Sequence, residues 1–164
     1  METVLRNVNE QVERLILKIV GPVFLVYIIV IFVQVLARNY IQVPLIWLDE
    51  VARMCFQWTL MLGAAVAVRR QAHYVVEVIP KQYFFAVIGL KLFAQAVMVV
   101  FIAVMVWHGA TFARMGLDRL SSALEIPWIY IYVSLPIAGV VMVMFLAEVV
   151  ISDIQTLRSR GRGE

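Results

Sequence analysis

An acidic pair and an arginine, Asp49, Glu50 and Arg53, stand at the mouth of a long apolar run that begins at Trp47. On a helix, residues three or four apart share a face, so either carboxylate can meet the guanidinium. At a helix N-terminus the acids also interact favourably with the macrodipole. An interfacial ion pair that anchors the helix is one use of these residues. A polar contact to a partner protein or a substrate path is the other. Gln57, one turn beyond Arg53, extends the polar stripe and favours a protein-facing side. Deeper in the same run, Gly63 and Ala67 form a small-xxx-small pair that lets helices approach closely, most simply inside a bundle.

Redox and hydrolytic chemistry find little support. His73 falls just past one end of the second apolar run and His108 at the opposite end of the third, a membrane thickness apart, so they cannot share a haem iron within one chain. Neither a serine–histidine set nor an aspartate pair lies within the runs. The single cysteine, Cys55, excludes an internal disulfide and a cysteine metal cluster. We therefore expect no enzyme, no cofactor and no metal site, and no nucleic-acid partner. Glu148, near the inner end of the last run, reads as an acid reaching for the interface rather than a proton carrier.

The elements that position these residues follow from composition. Of 164 residues 63% are hydrophobic and 15% charged, outside the range of soluble domains. Four runs of 22 to 24 residues, at 15–37, 47–68, 84–107 and 128–151, each match the ~20 helical residues that cross a bilayer. The runs are continuous rather than alternating, which excludes strands. The fold class is an all-α integral membrane protein, one domain of four transmembrane helices over residues 1–164. Arg6, Arg14, Lys18, Arg69, Arg70, Lys81, Arg158, Arg160 and Arg162 fall on one side, against Arg38, Arg114 and Arg119 on the other. The richer side is expected to be cytoplasmic, with both termini inside.

Trp47, Trp107 and Trp128 then mark the outer boundary, Tyr74, Tyr83 and Phe84 the inner one, and Lys91 snorkels back inward. The apolar run at 15–37 reads as an uncleaved first span. Residues 1–14 suit a short surface helix or an unstructured lead equally well, and the basic tail "LRSRGRGE" reads as loose chain near anionic headgroups. Pro22 suits a first helical turn, and Pro136 a kink two turns into the last span. In the longest connection, 108–127, Leu117, Leu120 and Leu124 recur at helical spacing and suggest a surface-lying helix.

Taken together, Trp47, Asp49–Glu50, Arg53, Trp58, the Gly63-Ala64-Ala65 stretch and Arg69-Arg70-Gln71-Ala72-His73 resemble the signature of the small, Q- or DctQ-type membrane subunit of tripartite ATP-independent periplasmic (TRAP) transporters. The segment "LEIPWIYIYVSLP", 124–136, is similar to the entry of that family's last helix. Ser121-Ser122 stands where the family often has a serine–proline pair. The resemblance implies a bacterial inner-membrane scaffold without a transport site of its own. Its partners would be a large elevator-type subunit and a periplasmic substrate-binding protein, besides membrane lipids, in Na⁺-driven uptake of an organic acid such as a dicarboxylate or sialic acid. It points to Trp47, Asp49, Glu50, Arg53, Gln57, Gly63 and Ala67 as a large-subunit interface, and makes Arg69 and His73 an inner-loop motif. Arg114 and Arg119, in the longest outer segment, are candidates for docking the binding protein. Two rivals remain: a self-sufficient small multidrug-type transporter dimer, which would need a carboxylate deep in a span, and the membrane anchor of a respiratory enzyme, which the histidine placement weakens.

Overall fold

The computed structural model describes the backbone of residues 2–42, 45–70 and 84–160, and side chains within 6–42, 45–70 and 93–151. Among these residues the chain is all-helical, apart from one isolated bridge between Leu120 and Pro127. Helix α1 covers Glu2–Leu36 and ends in a π-helical turn, Ala37–Ile41; α2 covers Ile46–Arg69, α3 Phe84–Met115, α4 Ile129–Tyr132 and α5 Ser134–Arg160. Four helical stretches are long and apolar enough to cross a membrane: Arg6–Tyr40, Ile46–Arg69, Phe93–Met115 and Ile129–Ile151.

The packing order is α1–α2–α5–α3, so that α2 and α5 form the centre. These two run parallel, with the last turn of α2 beside Glu148 of α5, and α1 and α3 are antiparallel to them. Their shared core includes Leu62, Ala65, Val66, Ala138, Met142 and Phe145, with Ile16 added from α1 and Ile102 and Met105 from α3. With little hydrophobic drive between helices in lipid, close packing has to hold them together. The α3–α5 contact relies on this. A Cβ at Gly139 would stand 2.7 Å from Val106 Cγ2, and one at Gly116 would stand 2.7 Å from the Ile129 nitrogen.

Several local expectations need correction. Residues 2–14 are neither a separate surface helix nor an unstructured lead. They are the first turns of α1, which at 1.5 Å per residue is about 50 Å long and overruns a ~30 Å hydrocarbon core. Pro22 accordingly lies deep inside α1 rather than in its first turn. A lost backbone bond there is tolerable because local adjustments and neighbouring helices can re-satisfy the freed carbonyl. Helix α3 continues eight residues past the expected end at Trp107, shortening the following connection. At the other end of the chain, α5 carries the helix to Arg160, so the first half of the basic tail expected to be loose is helical; its last four residues lie outside the described set.

Leu117, Leu120 and Leu124 do not form a helix. Residues 119–128 fold back on themselves, with Ser121 N–H donating to Ile126 O at 2.9 Å and Trp128 N–H to Arg119 O at 3.0 Å. Glu125 takes a left-handed φ of 54° at the turn. The fourth span is broken at Val133, where Ser134 Oγ bonds back to Ile131 O at 2.6 Å. The break comes just before Pro136, whose missing N–H and ring disfavour an unbroken helix through this point. His73, Tyr74, Lys81 and Tyr83 lie outside the described residues, as do the side chains of Phe84 and Lys91.

Candidate functional site

Polar side chains collect at the two ends of α2. At its first turn Arg53 pairs with Asp49 at 2.5 Å, and its guanidinium also lies 5.6 Å from the centre of the Trp128 ring. Glu50 does not join this pair, although its spacing allowed it. It is buried and accepts hydrogen bonds from the backbone N–H groups of Ala123 at 3.0 Å and Leu124 at 2.9 Å. The carboxylate thus caps the tip of the 119–128 fold, whose donors would otherwise have no partner. Trp58 Nε1 donates to Tyr130 O at 2.9 Å and fixes α4 to α2 about two turns further along α2. Glu50, expected at the large-subunit interface, is therefore engaged inside its own chain.

At the last turn of α2 the arrangement is more extensive. The Arg69 guanidinium lies between two carboxylates. It donates to Glu148 of α5 at 3.1 and 3.2 Å and to Glu13 of α1, and sits over the Phe145 ring at 5.7 Å. Arg70 donates to the second oxygen of Glu13 at 2.7 Å. Asn9, fully buried, donates to Glu148 at 2.7 Å and to Met144 O at 3.2 Å. Glu148 is thus no free acid reaching for the interface, and Arg69 belongs to a helix end rather than to a loop. Asn9 and Glu13 were not singled out in the sequence. Their four-residue spacing, together with an otherwise isolated acid in the last span, was the available signal.

Burial decides which end carries more energy. Arg69, Glu13 and Glu148 side chains are 12%, 13% and 18% exposed, whereas Arg53 and Asp49 are 52% and 50% exposed. Exposed pairs contribute ~0–1 kcal/mol, while removing one member of a buried pair costs about 3–5 kcal/mol.

Between its ends, α2 packs on α1 and α5 and leaves a third face uncovered. Arg53, Phe56 and Leu60 are exposed along it, followed by Gly63 and Ala67, at intervals of three and four residues. Nothing lies within 4 Å of a Cβ placed on Gly63, so the small pair is not used for packing inside this bundle. Trp47 is 47% exposed at the start of the helix, and Gln57 is half-buried at the edge of the open face. Arg114 and Arg119 are exposed around the 119–128 fold, apart from the α2 residues. No group of three or more metal-ligating side chains occurs among the described residues.

A four-pass bundle held by polar contacts at both ends, with one helix face left open, defines a multi-pass membrane component. The chain belongs to the DctQ component family of the tripartite ATP-independent periplasmic transporters, whose family model matches residues 27–156. It is also similar to a sialic acid TRAP transporter permease protein, SiaT, of Haemophilus influenzae, with 24% identity over 129 residues. That match covers 74% of this chain, but the chain spans only 20% of the length of that relative.

The two ends of α2 should respond differently to substitution. In thermal unfolding of the detergent-solubilised protein, Arg69→Met should destabilise by about 3–5 kcal/mol, because Glu13 and Glu148 are left facing each other. Arg53→Met should cost no more than ~1 kcal/mol. Equal losses would overturn this ranking.

Proposed function

We propose that this chain is the small scaffold subunit of a TRAP transporter in a bacterial inner membrane, and that its open α2 face receives a separate large permease subunit. One observation carries the reading. The stripe from Arg53 through Phe56 and Leu60 is exposed, with Phe56 touching α1 through the Tyr27 ring, and it runs on to half-buried Gly63 and Ala67, a small pair suited to close helix approach. The length of the relative supports it, since four fifths of that protein has no counterpart here. Transport of the solute then falls to the large subunit, moving by an elevator motion and driven by Na⁺. The solute is an organic acid; sialic acid, in the relative's name, is one candidate. A component moving along the membrane normal needs a fixed neighbour, and a bundle anchored by interfacial aromatics supplies one.

In this reading Trp47, Asp49, Arg53, Gln57, Gly63 and Ala67 face the large subunit, and Glu50 serves the interface indirectly by holding the loop beside it. Both termini are cytoplasmic by the distribution of Lys and Arg. Arg114 and Arg119 then face the periplasm, where they meet an acidic surface of the binding protein. The small-exporter alternative is disfavoured by the placement of acids. Glu13, Glu50 and Glu148 are each hydrogen-bonded at one end or the other of α2 and none of them is left free.

Three experiments test this function. Reconstituted alone, the chain should catalyse no uptake; with the large subunit and binding protein it should support uptake. Arg53→Ala should lower the yield of the two-subunit complex and maximal uptake while leaving apparent solute affinity nearly constant. Uptake by the isolated chain, or a several-fold loss of affinity in intact complexes, would contradict the scaffold role. Charge reversal at both Arg114 and Arg119 should raise the binding-protein concentration needed for half-maximal uptake, since rim charges act mainly on association. An unchanged concentration dependence would remove these arginines from the docking surface.

A further inference from the structure

A second uncovered feature lies beside the open face of α2. Because α5 stands between α2 and α3, these two helices leave a groove with α5 as its floor. Its lining includes Met61 and Ala64 of α2, Phe101, Met105 and His108 of α3, and Met142 of α5, around a volume of about 550 Å³. In a bilayer such a groove has to be filled. Water is a poor occupant, because it needs two to four polar partners and this wall is almost wholly apolar. By size, an apolar void of ~150 Å³ accepts one six-carbon ring, so this groove accommodates roughly twenty carbon atoms. That is the bulk of a single acyl chain.

Polarity along the groove gives the orientation. Its two polar lining side chains, His108 and Thr111, both stand in the half nearer the 116–128 connection. The Thr111 hydroxyl donates to Trp107 O at 3.3 Å, which leaves its oxygen free to accept. An imidazole N–H supplies a donor next to it. From His108 down to Phe101 the apolar wall runs seven residues, ~10 Å at 1.5 Å per residue, against a leaflet hydrocarbon depth of ~15 Å.

We propose that this groove binds one phospholipid from the leaflet at the 116–128 end of the bundle. One acyl chain lies over Met105 and Met142 between α2 and α3. His108 donates to a phosphate oxygen, and Thr111 accepts from the headgroup.

The test is native mass spectrometry of the full chain released from nanodiscs of phosphatidylethanolamine and phosphatidylglycerol. The expected result is one phospholipid retained per chain under activation that strips the bulk lipid. Ala64→Phe and Met105→Trp, which fill the groove, should each reduce retention at least five-fold. His108→Leu keeps the apolar volume and removes the donor; it should lower retention several-fold without changing the melting temperature in lipid-free detergent. Leu60→Phe, on the open face of α2, should leave retention unchanged. Absence of a retained lipid from the unmodified chain, or equal retention in the groove-filled variants, would overturn the proposal. So would loss of the lipid when the large subunit binds, with groove-filled variants failing to assemble, because the groove would then belong to that partner.

Discussion

A charge placed at the edge of a membrane helix has to be answered by another part of the same chain, by a partner or by the headgroups, because lipid offers nothing. In this protein α2 carries such charges at both ends, and the two deepest are answered from within. Glu50 holds the tip of the connection that precedes α4, and Arg69 holds α1 and α5 through Glu13 and Glu148. The remaining helices are arranged about this one. Helix α1 is exposed over most of its length and has few buried side chains, among them Asn9 and Ile16, so its polar contacts near Asn9 and Glu13 matter for its placement. Helix α3 reaches the core through α5, where Gly139 lets Val106 approach.

The consequence for function is a division of α2 into faces with separate tasks. Two faces are consumed by α1 and α5. The third is left with an exposed ion pair at one end, two large apolar residues, and then two small ones. Such a surface does not stabilise the isolated chain, and its composition is unusual for a face that meets only acyl chains. A helix fixed at both ends presents this surface in one position, which is what a static support for a moving neighbour requires. On the proposed reading, Glu50 and Arg69 act as positioning residues for that interface.

The four helices were legible because continuous apolar runs of bilayer length leave few alternatives, and charge bias marked which ends lie together. The polar contacts were less legible, for a definite reason. Helical spacing reveals only neighbours three and four residues apart, and it identified Asp49–Arg53 correctly. The stronger contacts join residues far apart in the chain: Glu50 with Ala123 and Leu124, Arg69 with Glu13 and Glu148. Spacing alone left Asp49 and Glu50 equally able to meet Arg53, and left Glu148 unpaired. Gly63 shows the same limit. The small-xxx-small pattern indicates a close approach without saying to what, and only the packing of α1 and α5 shows that the approach is not used inside the chain. Leu117, Leu120 and Leu124 had helical periodicity, yet backbone bonds across 119–128 and the carboxylate of Glu50 satisfy that segment without a helix.

The central claim is that α2's third face is where the large subunit docks, and site-specific photocrosslinking in the assembled complex tests it most directly. A photoreactive phenylalanine analogue placed at Phe56, Leu60 or Ala67 should give a covalent product with the large subunit, whereas the same probe at Val140 or Val143, exposed on α5, should not. Products from the α5 positions with none from α2 would contradict the account and move the interface to the opposite part of the bundle.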